Sequence, residues 1–205
     1  SASTDSTVSD DYVLADYVTE TAETAAVFAV NGGTVNLNGQ QGNTISGGDI
    51  GIWALTQNQE DVDEDIAASV TLTSESGTNT VSGSQYGIFA DRSYDGEIDS
   101  THVQMITGLY ESESAYVLGN AVKPAPSVTL TGVSNEIAGT SGAGVRADEG
   151  ASVTITATQD GNTISGGDMG IQAEDGGSVS VTGNGNNTVS GSSAGLYAKS
   201  QITYC

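Results

Sequence analysis

A thirteen-residue string, GNTISGGDIGIWA at residues 42–54, returns at residues 161–173 as GNTISGGDMGIQA, with only Ile50 and Trp53 replaced, by Met169 and Gln172. Self-similarity of this kind restricts a chain to folds in which one supersecondary unit stacks on copies of itself. Weaker copies start at Asn79, Asn135 and Asn187. A run of the S-V-T-I-T type precedes each copy, at residues 34–38, 69–73, 127–131, 152–156 and 178–182. One unit is therefore three short runs, S-V-T-I-T, N-T-I-S-G and G-I-x-A, separated by turn residues.

In the first run Val and Ile or Leu alternate with Ser and Thr, the period-two pattern of a half-buried strand. Nothing with a helical period interrupts the repeats. From Val35 the steps between anchoring residues are 35 to Val70, 58 to Val128, 25 to Val153, 26 to Val179 and 23 to Ile202. Three strands in about 25 residues make one turn of a three-faced parallel β-helix. The chain is accordingly expected to be all-β, a β-solenoid of five to six coils. Each strand should lie about 4.8 Å from its counterpart, wound right-handed by the crossover rule.

The two long steps mark insertions at residues 55–68 and 91–126. Both fall between a G-I-x-A run and the next S-V-T-I-T run, a corner that compact coils close with four residues such as Glu174, Asp175, Gly176 and Gly177. Consecutive coils should thus project their loops from one side, where solenoids often bind. The solenoid is assigned to residues 26–205 and an N-terminal cap or docking segment to residues 1–25. Residues 201–205 open a further coil, so that end is expected to be continued by more chain or covered by another subunit.

Four Lys and Arg against 26 Asp and Glu leave a net charge of −22. Such a charge repels phosphate backbones and anionic headgroups, which excludes nucleic acid as a partner. No apolar run approaches the roughly 18 residues of a transmembrane helix. With one Cys, Cys205, there is no disulfide framework or Cys-based zinc site; an interchain disulfide is the one bond it offers.

Repeats such as GNTISGGDMGIQAEDGGSVSVTG resemble the passenger domains of bacterial autotransporter adhesins, over roughly residues 26–204. The resemblance implies export, a right-handed β-helix, display at the cell surface and non-catalytic adhesion, with a host-cell or glycan surface as partner. It implies an extracellular, mature chain; Ser1-Ala2-Ser3 is what removal of a signal peptide would leave. The 205 residues contain no translocator-barrel pattern.

Several constellations bear on function. Asn43, Asn79, Asn135, Asn162 and Asn187 should align along the axis as a structural ladder of stacked amides. In the G-I-x-A run the variable residue should point outward, giving a row of Phe28, Trp53, Phe89, Arg146, Gln172 and Tyr197. Its aromatic members, Phe28, Trp53, Phe89 and Tyr197, form a candidate contact surface for sugars or a partner, unless an insertion or the N-terminal segment covers them. The outward Thr, Ser and Asn of the first strands form a flat hydroxyl array similar to ice-binding faces, and equally a solvated strand face. Glu60, Asp61, Asp63, Glu64 and Asp65 offer the oxygen ligands that Ca²⁺ takes. The spacing is not that of an EF-hand, and no other cofactor is implied. His102 has no adjacent Ser/Asp arrangement of the kind a triad needs, so no catalytic residue is assigned. The reading is a non-catalytic surface solenoid for adhesion or scaffolding. Its alternatives are a subunit of an extracellular fibre stacked end to end and, last, a glycan-active β-helix enzyme.

Overall fold

Why the repeats stack is visible in the register. The computed structural model describes residues 7–8, 24–56, 67–92 and 125–199. Among them are seventeen strands and no helix, arranged as three sheets. Sheet A holds the N-T-I-S-G runs: β1 (Thr7–Val8), β4 (Thr44–Ser46), β7 (Thr78–Gly83), β10 (Ser134–Gly139), β13 (Asn162–Gly166) and β16 (Thr188–Ser190). Sheet B holds the G-I-x-A runs: β2 (Ala25–Val30), β5 (Ile50–Leu55), β8 (Tyr86–Asp91), β11 (Ala143–Ala147), β14 (Met169–Glu174) and β17 (Ala194–Lys199). Sheet C holds the S-V-T-I-T runs: β3 (Thr34–Gly39), β6 (Ser69–Ser74), β9 (Ser127–Gly132), β12 (Ser152–Ala157) and β15 (Ser178–Gly183). Every pairing is parallel. Val70, Val128, Val153 and Val179 pair in turn. The molecule is a three-faced parallel β-helix with about 25 residues per compact coil.

Because side chains alternate across a strand, in-register stacking sends like residues inward on every coil. Ile45, Ile52, Leu72, Ile88, Leu130, Ile155 and Ile164 are fully buried and belong to one continuous core. Burying each such side chain stabilises by about 1.5–3 kcal/mol. Two features allow the coils to lie so close. Gly51, Gly87, Gly144 and Gly170 stack at the start of sheet B, and a Cβ on Gly87 would stand 2.6 Å from the Gly144 carbonyl oxygen. The compact corners are tight turns with two consecutive positive φ values, Asn31–Gly32, Glu149–Gly150 and Asp175–Gly176. Each is closed by a backbone hydrogen bond to the residue three back, such as Gly177 N–H to Glu174 O at 2.7 Å.

The asparagines fill the corner between sheets C and A. Asn43 Nδ2 donates to Asn79 Oδ1, Asn79 to Asn135, Asn135 to Asn162 and Asn162 to Asn187, at 2.7–2.9 Å. The second hydrogen of each donor goes to a strand carbonyl of the following coil, at Thr73, Thr131, Thr156 or Thr182. Asn43, Asn79, Asn135 and Asn162 are buried and Asn187 is exposed.

Of residues 1–25, read from the sequence as a cap or docking segment, the structure describes residues 7–8 and 24–25. Thr7 and Val8 pair with Thr44 and Ile45, so sheet A extends one strand above residue 26. In sequence, Thr7-Val8-Ser9 repeats the T-V-S of residues 80–82 and 188–190.

Candidate functional site

The outer face of sheet B differs from the other two. Sheet C presents only uncharged residues outward: Thr34, Asn36 and Asn38, then Ser and Thr on the next four coils, with Thr129, Thr131, Thr154 and Thr156 in two adjacent columns. Sheet A presents Thr and Ser with Glu136 among them. Sheet B instead carries aromatic, cationic and anionic side chains in two neighbouring columns.

The first column is the predicted outward row. Phe28, Trp53, Phe89, Arg146, Gln172 and Tyr197 stand in register on successive coils. Phe28 and Trp53 have ring centroids 4.9 Å apart; Trp53 and Phe89 are stacked at 6.2 Å. Along the row Trp53 is 6% and Phe89 9% exposed, while Phe28 and Tyr197 are half-buried. Ala25, Ile50 and Leu55, with Val30 and Tyr86 partly buried against them, join these rings in a second apolar cluster outside the solenoid interior. Among the described residues, the buried Trp53 Nε1 meets no acceptor.

Arg146 ends the aromatic stretch. Its guanidinium lies 5.1 Å from the Phe89 ring centroid and 5.6 Å from that of Tyr86, a cation–π arrangement. It donates to Tyr86 Oη at 3.0 Å and to Asp148 Oδ2 at 2.7 Å, and reaches Glu174 at 3.6 Å.

The second column, two residues further along each strand, runs Leu55, Asp91, Asp148, Glu174 and Lys199. Both insertions leave from here. Thr56 N–H donates to Asp91 O at 3.0 Å and Ser127 N–H to Ala68 O at 3.0 Å, so the roots of the two loops are hydrogen-bonded to each other. Thr56 and Ala68 are buried, and Ala68 N–H donates to Thr56 Oγ1 at 3.2 Å. In-register stacking of carboxylates has an electrostatic cost. Burial, then Asp148 and Glu149, push the Asp91 carboxyl from its usual 3.8 to about 7, against the opposing pull of Arg146. Burial also raises Asp148, against Arg146.

At the corner between sheets A and B the opposite holds. The Asp49 carboxylate accepts from Thr24 N–H at 3.1 Å, Thr24 Oγ1 at 3.2 Å and Ser84 Oγ at 2.9 Å. The Thr24 backbone bond, then Ser84, hold it below its usual range.

The acidic run Glu60, Asp61, Asp63, Glu64 and Asp65, and His102, lie outside the described residues. Among the described residues no group of three His, Cys, Asp or Glu side chains is placed to hold a metal. Leu196, in register with Ile171 on the last described coil, is 70% exposed.

No family model, curated protein or solved structure matches this chain. The stacked parallel architecture agrees with the one that the resemblance implies. The adhesin likeness itself rests on the repeat sequences alone.

Proposed function

We propose that this chain is a non-catalytic, exported β-solenoid of the bacterial surface that serves adhesion or scaffolding. One observation carries the reading. The column keeps its repeats in register for at least five coils, yet it roots two insertions side by side at one corner, beside the one outer face that, among the described residues, is rich in aromatic and charged side chains. Loops rooted on a rigid scaffold are a common arrangement for binding. The uncharged outer face of sheet C and the net charge of −22 suit a long exposed column that must remain soluble.

The test replaces each insertion by the Glu-Asp-Gly-Gly turn of residues 174–177, which closes a compact coil. Fluorescently labelled wild type and the double replacement are applied to a glycan array and to cultured epithelial cells. The reading expects binding by the wild type and its loss in the replacement, with the β-sheet circular-dichroism spectrum unchanged. Binding that survives loss of both loops would overturn the role of the corner. Turnover of a polysaccharide by the wild type would overturn the non-catalytic reading, and long filaments in negative stain would favour end-to-end assembly.

A further inference from the structure

The carboxylate column at the loop-bearing corner holds an unused acceptor. Asp148 is 8% exposed; its Oδ2 is taken by Arg146, at 2.6 Å from Nη2, and its Oδ1 is buried and, among the described residues, without a hydrogen-bond partner. An orphaned buried acceptor is costly and calls for a donor. The residue stacked on it is Asp91, one position beyond the Ala90–Ala147 pair, with Asp148 N–H bonded to Ala90 O at 2.9 Å. Strands on adjacent coils lie about 4.8 Å apart, and one residue past the inward-facing Ala90 and Ala147 both carboxyl side chains leave the same face of sheet B.

We infer that Asp91 and Asp148 form a proton-dependent clasp: a protonated Asp91 donates to Asp148 Oδ1 and ties the end of β8 to the coil that follows, and loss of that proton releases the tie. The pair balances with one proton between its members, and Arg146 on Asp148 Oδ2 favours the place of that proton on Asp91. With both groups ionised, two like charges stand together, Asp148 buried and Asp91 half-buried, and Asp148 Oδ1 stays unpaired; with Asp91 protonated, one hydrogen satisfies the acceptor and removes the repulsion.

The surroundings keep the proton in place near neutrality. Glu149, from the same coil as Asp148, adds a second negative charge facing Asp91, and Arg146 on β11 is engaged by Asp148, Glu174 and Tyr86. Above Asp91 stand Leu55 and Thr56, which carry no charge. Arg92 follows Asp91 in the chain and directs its guanidinium towards the Glu149–Gly150 turn, 3.5 Å from where a Cβ on Gly150 would sit. Raised by this setting to about 7, Asp91 binds its proton more tightly folded than unfolded. The sign follows: the clasp stabilises fully below the unfolded value of 3.8 and is lost as pH rises through about 7. The inference does not depend on the adhesive reading.

Two measurements test it. In wild-type protein carrying ¹³C-labelled Asp, one carboxyl carbon should titrate near pH 7, and in Asp91→Asn that resonance should be missing. In parallel, hydrogen exchange at the Asp148 and Thr56 amides, corrected for intrinsic base catalysis, should accelerate roughly ten-fold or more between pH 6 and pH 8.5 in the wild type. Asp91→Asn, which keeps a donor but cannot ionise, should show no such acceleration. If no Asp carboxyl titrates above pH 5, the inference is wrong whether or not the variant folds. Wild-type pH dependence of exchange retained in Asp91→Asn would sink it equally.

Discussion

Replacing Asn135 by Ala tests how the ladder holds successive coils. Asn135 is fully buried and makes three bonds: it accepts from Asn79 at 2.9 Å and donates to Asn162 at 2.7 Å and to the Thr156 carbonyl at 3.0 Å. Truncation leaves an Asn79 N–H and Asn162 Oδ1 buried without partners. Each such group costs about 1–3 kcal/mol, so the variant should lose about 2–6 kcal/mol. Asn187→Ala removes an exposed acceptor that takes the Asn162 Nδ2 and Asn162 N–H bonds at the end of the described ladder and should cost about 1–2 kcal/mol, because water reaches the site. Urea unfolding followed by circular dichroism reads both. The double variant Asn79→Ala with Asn135→Ala should cost less than the two singles summed, because the second truncation removes a donor that has already lost its acceptor. Equal losses for Asn135→Ala and Asn187→Ala, or strict additivity, would refute the claim that the amides act as one network.

Three further outcomes follow from the packing. Leu130→Ala opens a cavity in a fully buried position and should cost about 2–5 kcal/mol, whereas Leu196→Ala, 70% exposed, should change the urea midpoint little. Gly87→Ala forces a methyl to 2.6 Å from the Gly144 carbonyl oxygen and should destabilise by about 1–3 kcal/mol as the coils part, read as a lowered thermal midpoint. Asp49, held below its usual range by Thr24 and Ser84, contributes stability above about pH 4 that is lost as pH falls further. Asp49→Ala should therefore narrow the gap in midpoint between pH 6 and pH 3.

Much of this architecture was legible because in-register stacking writes the same residue type at the same template position on every coil. Val70, Val128, Val153 and Val179 named one strand stack, and the five asparagines named one corner. What escaped notice was what register does between unlike residues. Asp91, Asp148, Glu174 and Lys199 each follow the Ala of a G-I-x-A run, so their meeting in one column is written in the repeat even though the residues themselves differ in type and charge. The burial of Trp53 and Phe89 was not readable from alternation, which fixes the side of a sheet and not what packs beside it. Ile50 and Leu55 close against the rings from along the same strand. Thr7-Val8-Ser9 carries the T-V-S of an N-T-I-S-G run but not its leading Asn or closing Gly, so it fits the template only in part.

The central claim is a single parallel column, and cross-strand nuclear Overhauser contacts in methyl-labelled protein test it most directly. The account predicts methyl contacts of Val128 with Val70 and Val153, and of Val153 with Val179, without the short Hα–Hα contacts of antiparallel pairs. Close Hα–Hα contacts between those strands, or Val128 methyls in contact with neither Val70 nor Val153, would contradict it.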